Sequence, residues 1–291
     1  MGEKRRLVTF LLLIAPAVIL RLLTSVYPIA HTAYLSLFEN NLLAGSNIFV
    51  GFRNYAEMWQ EIAIRDSMAF TVLFVLASTF LELILAFPIA LLLNASFQGR
   101  RWVRSLNLLP WAIPTIVAAM GFRWFFDEQY GMFADVVFRL FGTRLAVLVD
   151  PWPARVAVIL ANVWKNTPFL AIILLAGLQG VPKELYEAAH IDGATRLQSV
   201  RYITLPFCAT LLSTLGVFFI IWQLASFDLV YGMTQGGPGT STSVLSYRIL
   251  QMTVLWFNYG MASALSMVLF GLVLVFGLLG ALLLRRHAVS L

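Results

Sequence analysis

The sequence predicts an all-α protein that crosses a membrane six times as a single domain over residues 1–291. Of its residues, 60% are hydrophobic and 12% are charged, whereas an average soluble domain has about 25% charged residues. Six apolar segments are each long enough to cross a hydrocarbon layer about 30 Å thick as a helix. These predicted spans lie near residues 8–31, 68–93, 104–126, 156–179, 207–231 and 260–284.

The N-terminal apolar segment is predicted to remain in the protein as the first span. Basic residues precede it, as in a signal peptide, but the apolar run continues through about Ile29 and is interrupted by Pro16. It is therefore longer than the apolar core of a cleaved signal peptide. Cys208 is the only cysteine, which excludes an internal disulfide. The histidines lack metal-ligand spacing, so no metal site is expected.

The distribution of basic residues predicts the orientation of the spans. With the N-terminus inside the cell, eleven Lys and Arg residues fall in inner segments and six fall in outer loops. Because cytoplasmic loops are enriched in Lys and Arg, both termini are predicted to be cytoplasmic. The net charge of +6 therefore reflects topology, and nucleic-acid binding is not expected. The outer loops 39–67 and 232–259 could each carry short interfacial helices.

A polar segment between the fourth and fifth predicted spans, residues 180–206, is expected to form two short cytoplasmic helices. Pro182 suits the first turn of a helix, and Gly193 suits the position just after its C-terminal end. A second helix is expected from about Thr195 to Tyr202, before Pro206 opens the next span. The segment could dock on a partner, or it could be a solvated connection that only returns the chain to the membrane.

This segment resembles the signature loop of the permease subunits of binding-protein-dependent ABC importers. The family pattern is Glu-Ala-Ala, three residues, glycine, nine residues and Ile-x-Leu-Pro. The matching residues are Glu187, Ala188, Ala189, Gly193, Ile203, Leu205 and Pro206. The stretches "LLPWAIP", "VWKNTPF" and "FDLVYGMTQGGPGTST" are similar to the sugar and glycerol-phosphate importers of this family. The six-span layout is closer to its shorter members than to the larger permease of the maltose importer.

The resemblance implies a transport subunit of the prokaryotic cytoplasmic (inner) membrane, not an enzyme. The EAA loop, including Asp192, would be a coupling-helix hairpin that docks on an ATPase and moves the spans when ATP closes the ATPase dimer. The sequence contains no GxxxxGK[ST] phosphate-binding loop, so ATP and Mg are expected on the ATPase subunits and no cofactor on this chain. The expected partners are a second permease, an ATPase dimer, an extracytoplasmic solute-binding protein, a sugar-like substrate and membrane lipid.

Charged residues within the spans bear on two alternative functions. Arg21 is expected either to reach the membrane surface or to pair with Glu82 on the next span, whereas Arg123 and Asp228 lie near outer span ends. None of these groups forms a nucleophile–base pair, which disfavours a membrane-embedded enzyme. An ion-coupled secondary transporter would use Glu82 or Asp228 as an ion site, but it would leave the EAA loop unexplained.

Polar and aromatic residues on the third, fourth and fifth spans predict a substrate pathway. A sugar site needs aromatic faces against ring C–H groups, together with amides or hydroxyls for the sugar hydroxyls. The resemblance to sugar permeases implies contacts from Trp111, Thr115, Lys165, Asn166, Phe169, Phe219, Trp222, Gln223 and Ser226. Phe219 replaces a hydroxyl found at that place in the maltose importer, which argues against maltose-like binding. The alternative role for each residue is packing or interhelical hydrogen bonding.

Overall fold

The computed structural model describes residues 2–288, and most of them are helical. The chain divides into two compact units. One unit holds the chain up to Glu61 together with Ile249–Phe270, and the other holds Ile62–Arg248 and the chain from Gly271. The prediction that residues 1–291 act as a single domain stays a prediction.

Fifteen α-helices follow one another along the described chain, with three π-helical turns between them. The α-helices are α1 (Gly2–Arg21), α2 (Tyr27–Leu35), α3 (Arg53–Gln60), α4 (Ile62–Asn94), α5 (Arg100–Asn107), α6 (Leu109–Ala112), α7 (Thr115–Phe125), α8 (Met132–Phe141), α9 (Pro151–Leu178), α10 (Lys183–Ile191), α11 (Arg196–Ser199), α12 (Leu205–Ala225), α13 (Asp228–Met233), α14 (Leu245–Leu250) and α15 (Tyr259–Ala288). The π-helical turns are Leu22–Val26, Val200–Thr204 and Gln251–Leu255.

The prediction of six spans is confirmed when one bent helix pair is counted as a single span. Five helical segments of the described chain are long and apolar enough to cross a membrane: Leu13–Leu35, Ile62–Asn94, Pro151–Leu178, Arg196–Ala225 and Tyr259–Leu282. The third predicted span is instead two helical segments, Arg100–Ala112 and Thr115–Phe125, bent by 87°.

The bend in the third span follows from its prolines. Ile113 and Pro114 have extended backbone, with ψ angles of 132° and 135°, and α7 begins at the next residue. A residue before proline is disfavoured in the helical region, and proline has no N–H to continue a helix. After α7 the chain turns at Asp127, whose Oδ1 accepts the backbone N–H groups of Gln129 and Tyr130 at 2.9 Å. The hydrogen bond from the Tyr130 N–H has the larger effect and that from the Gln129 N–H the smaller, and both lower the pKa of Asp127.

The core of the larger unit forms where α4 packs against α9. Ala86, Ala90 and Ala171 are fully buried there, together with Leu170 and Leu174. Small residues on facing helices let the two backbones approach closely, which favours van der Waals packing between membrane helices. This packing brings polar residues near the middle of α4 and of α9 next to one another.

The fifth span differs from the prediction at both ends. The expected second helix begins at Arg196, with Thr195 as its N-cap, but it does not end near Tyr202, because α11 continues through the π-helical turn Val200–Thr204 into α12. Pro206 therefore lies in the first turn of α12, where its missing N–H is tolerated after the wider turn. At the other end, Ser226 is extended with a ψ of 133°, and α13 follows as a separate short helix.

The smaller unit contains a strand pair that an all-helical prediction leaves out. The strands β1 (Phe38–Asn41) and β2 (Ser46–Phe49) form an antiparallel hairpin around Gly45, whose φ is +64°. Asn54, at the start of α3, donates its Nδ2 to the carbonyl of Phe38 at 2.8 Å. The predicted outer loop 39–67 thus holds a hairpin as well as the expected short helix.

Candidate functional site

A cavity of about 480 Å³ lies in the larger unit, where α9 and α12 meet the N-terminus of α7 and the residues of α13. Five of the predicted pathway residues line it: Thr115, Lys165, Asn166, Trp222 and Ser226. Asp228 and Asn162 also line it, although neither was predicted to be a pathway residue. The wall therefore combines an indole ring, hydroxyls, amides and two charged side chains.

The aromatic residues of the predicted pathway divide into two groups. Trp222 lines the cavity and is 60% exposed, so its indole is available to a bound solute. Trp111 and Phe169 instead stack on each other, with ring centroids 4.5 Å apart and planes 8° from parallel. Phe169 also lies 6.4 Å from the buried Phe219 ring. These three rings do not line the cavity, and their contacts favour the packing alternative for them.

A buried hydrogen-bond network lies next to the cavity and connects three helices. Glu82 of α4 is fully buried and accepts hydrogen bonds from Asn162 at 3.1 Å, Asn166 at 3.3 Å and Gln223 at 2.9 Å. Gln223 also donates to Thr79 Oγ1 at 3.1 Å. Gln223, predicted as a pathway residue, is only 2% exposed and belongs to this network, not to the cavity wall.

Lys165 connects the cavity to the bend in the third span. Its Nζ donates to the carbonyl of Ile113 at 2.6 Å and to that of Trp111 at 3.2 Å. These carbonyls belong to the end of a helix whose continuation Pro114 prevents, so they lack their usual helical partners. A cation at the C-terminal end of a helix also interacts favourably with the helix dipole. The lysine thus holds the bent span against α9.

Asn162 and Thr79 were not predicted as site residues, and a different partner was expected for Glu82. Asn162 precedes Asn166 by one helical turn, and this spacing places both amides on one face of α9, a signal that could have found it. Thr79 carries no such signal, because a hydroxyl in an apolar helix often bonds only to its own backbone. The other candidate partner, Arg21, lies in the smaller unit and donates to Ser25 Oγ at 3.5 Å.

The EAA loop begins with α10, and backbone hydrogen bonds fix the C-terminal end of this helix. Gly193 has a φ of +78°, as its C-terminal position requires. Its N–H donates to the carbonyl of His190 at 3.1 Å, and the N–H of Ala194 donates to that of Ala189 at 2.9 Å. This pair of hydrogen bonds is a Schellman motif, which satisfies carbonyls at the end of the helix. Thr195 then caps the next helix through a capping box with Gln198.

The surface of the EAA loop exposes charged and apolar side chains. Glu187, Ala188 and Asp192 are exposed, whereas Ala189 is half-buried. Ile191 is 85% exposed and Leu197 is 78% exposed. The last three motif residues, Ile203, Leu205 and Pro206, lie at the start of the fifth span. Tyr186 and Thr204 are joined by a 2.9 Å hydrogen bond between their hydroxyls, which ties α10 to that span.

Comparison with known proteins places these features in a family. The family model of the binding-protein-dependent transport system inner membrane component matches residues 82–288. The chain is 40% identical over 262 residues to the sulfoquinovosyl glycerol transport system permease protein SmoG of Agrobacterium fabrum, with 90% of this chain and 85% of SmoG covered. It is 37% identical to the trehalose/maltose transport system permease protein MalF of Thermococcus litoralis, with 91% and 90% covered.

A solved structure shares the fold. A chain of a bacterial ABC transporter involved in the import of the acidic polysaccharide alginate superimposes with a TM-score of 0.82 at 24% identity, and the match covers 97% of this chain and 96% of that chain. The matched region of the family model contains the EAA loop, every cavity-lining residue except Phe74, and Glu82, Asn162, Asn166 and Gln223 of the buried network. The chain therefore belongs to the family of inner-membrane components of binding-protein-dependent transport systems, as a permease subunit of an ABC importer and not an enzyme.

Proposed function

We propose that this permease passes a sugar or a sugar-like solute through the 480 Å³ cavity between α7, α9 and α12. The observation that carries this proposal is the cavity wall, where the exposed indole of Trp222 lies beside the amide of Asn166 and the hydroxyl of Ser226. An aromatic face with a few polar groups suits the mixed apolar and hydroxyl surface of a sugar ring. Relatives named for sulfoquinovosyl glycerol and for trehalose or maltose support the same class of solute.

The EAA loop is the proposed contact with an ATPase subunit. The Schellman motif and the capping box fix its two helical ends, while Ile191 and Leu197 remain exposed for a partner to cover. Movement of α10 would reach the fifth span through the hydrogen bond between Tyr186 and Thr204. ATP and Mg would bind to that ATPase. Docking on a cytoplasmic ATPase would put the loop and both termini in the cytoplasm, as the Lys and Arg distribution predicts.

The remaining partners follow from what a single permease leaves incomplete. This chain encloses the cavity only in part, so a second, similar permease would complete the pathway wall. A solute-binding protein would deliver the solute from the outer side. In a solved relative, the alginate transporter was captured in complex with an alginate pentasaccharide-bound periplasmic protein.

Isolation of the chain from its native membrane in mild detergent tests these partners. We expect an ATPase and a second permease to copurify with it. The complex, placed in liposomes with its binding protein, should accumulate radiolabelled sugar only when ATP is supplied. Recovery of the folded chain alone, with uptake that is independent of ATP and abolished by an uncoupler, would refute the importer assembly and favour ion-coupled transport.

Replacement of Trp222 by alanine should lower sugar uptake about tenfold, which corresponds to roughly 1.4 kcal/mol of lost stabilisation. The complex should still assemble, because the indole is mostly exposed and its removal leaves no buried polar group. Uptake per assembled complex is the measurement. Trp164→Ala is the matched control, since Trp164 is also a partly exposed tryptophan of a span and does not line this cavity. Equal uptake by both variants would exclude a substrate contact at Trp222.

A further inference from the structure

The hydrogen bonds around Glu82 form a closed ring whose donors and acceptors can be assigned. Asn162 Nδ2 donates to Glu82 Oε1 at 3.1 Å and to Gln223 Oε1 at 2.8 Å. Gln223 closes the ring, because its Nε2 donates to Glu82 Oε2 at 2.9 Å. Glu82 and Gln223 are almost completely buried and do not line the cavity, so an unmatched donor or acceptor on either side chain would lack water as a substitute partner.

The ring requires the two terminal polar atoms of the side chain at position 82 to have the same character, either both acceptors or both donors. A single atom of Asn162 contacts both Glu82 Oε1 and Gln223 Oε1, so those two atoms must both be acceptors or both be donors. Because the two ends of an amide have opposite character, the other end of Gln223 then requires the same kind of atom at Glu82 Oε2. A carboxyl group has acceptor lone pairs on both of its oxygens in either protonation state, which satisfies the ring in one orientation of the amides.

A glutamine at position 82 cannot satisfy this ring in either orientation. Its Oε1 and Nε2 differ, so one end of the side chain always meets a group of its own kind at hydrogen-bond distance. Turning over the amides of Asn162 and Gln223 only moves the mismatch to the other end. The carboxyl group of Glu82 is therefore what fixes the direction of every amide in the ring.

Asn166 carries this fixed direction to the cavity wall. Its Nδ2 donates to Glu82 Oε1 at 3.3 Å and to Asn162 Oδ1 at 3.1 Å, so both N–H groups are used inside the network. Its Oδ1, at the other end of the amide, has no hydrogen-bond partner among residues 2–288, and the side chain lines the cavity. The amide thus presents an acceptor to a bound solute.

We propose that Glu82 is a positioning residue that sets the hydrogen-bonding character of the substrate cavity. By holding the amide of Asn166 with its nitrogen inward, Glu82 makes Asn166 Oδ1 an acceptor for a donating hydroxyl of the solute. This inference rests on the proposed sugar-transport function, but the ring itself does not depend on which solute is carried.

The first test concerns the ring and needs no substrate. Glu82→Gln has nearly the same size as the native residue, so a packing role alone predicts an unchanged structure. We expect an electron cryomicroscopy map of the assembled variant importer to show Gln223 or Asn166 displaced from its native rotamer. Ser78→Ala is the control, since the buried Ser78 Oγ lacks a hydrogen-bond partner in the described chain and lies one turn from Glu82. An assembled Glu82→Gln complex with every network side chain unmoved would overturn the ring assignment.

The second test measures which solute hydroxyls the cavity recognises. The probe is trehalose, maltose or sulfoquinovosyl glycerol, whichever the wild-type importer takes up fastest, together with its monodeoxyfluoro analogues. Fluorine replaces a hydroxyl without donating a hydrogen bond, so at saturating loaded binding protein we expect one analogue to move at least tenfold more slowly. Glu82→Gln and Asn166→Leu should remove that discrimination, and Ser78→Ala should keep it.

The possible outcomes separate this inference from the proposed function. Uptake of none of the three probes would refute the sugar assignment, while the displaced side chains in the Glu82→Gln map would still support the ring. Full discrimination by Asn166→Leu would overturn the acceptor role of Asn166, even where Glu82→Gln does not assemble. A variant at Glu82 or Asn166 that takes up the parent sugar and all its analogues more slowly by the same factor would also overturn the acceptor role, because that result indicates general damage to the importer.

Discussion

Replacement of Lys165 by methionine should destabilise the importer and reduce its transport activity. Methionine fills a similar volume but cannot donate to the carbonyls of Trp111 and Ile113, which the bent third span leaves without helical partners. A hydrogen bond from a charged group contributes about 1.5–3 kcal/mol, so we expect the melting temperature to fall by about 5 °C or more. Scanning fluorimetry of the purified complex and uptake in liposomes are the measurements.

Lys165→Arg is the matched control for this prediction. Arginine keeps the positive charge and several N–H donors, so it can still reach the two carbonyls, and it should retain most of the stability. A methionine variant with the same melting temperature as the wild type would show that the lysine does not hold the bend. Equal losses in the methionine and arginine variants would indicate that the site requires the shape of lysine, not its hydrogen bonds to the bent span.

Replacement of Glu187 by lysine should abolish most ATP-driven uptake while leaving the chain folded in the membrane. Glu187 is an exposed residue within α10, and exposed substitutions usually change stability by less than about 0.5 kcal/mol. A reversed charge at a docking surface, in contrast, is expected to weaken the contact with the ATPase and to lower uptake at least tenfold. Uptake and the amount of ATPase that copurifies should fall together.

Glu184→Lys provides a comparison on the same helix. It makes the same charge change one turn earlier, at the start of α10. The motif resemblance assigns the contact to Glu187, so this second variant should retain more uptake. Unchanged uptake in Glu187→Lys, at equal amounts of protein in the membrane, would contradict a coupling role for this loop.

The sequence was sufficient for the features that depend on local chemistry. Apolar length predicts the spans, because a segment that crosses hydrocarbon must satisfy its backbone hydrogen bonds internally as a helix and needs about 20 apolar residues to do so. The left-handed backbone at Gly193 was also predictable, since a glycine after a short polar helix commonly ends it. The motif around Glu187 then identified the family, which the comparison confirmed.

Local patterns were insufficient where a partner far along the chain decides the conformation. The β-hairpin at residues 38–49 was missed, because the short strands depend on pairing and on contacts such as that of Asn54. The continuous helix through Pro206 was also missed. A π-helical turn accommodates that proline, whereas in the sequence alone a proline at this place indicates the start of a helix.

The candidate site shows the same division between sequence and tertiary structure. Residue type and position, together with the family resemblance, predicted Lys165, Asn166 and Trp222 as pathway residues, and all three line the cavity. Only the tertiary structure assigned Gln223 to a buried ring with Glu82. The two residues are 141 positions apart. The packing of α4, α9 and α12 brings them together, and the direction of their hydrogen bonds exists only in that closed arrangement.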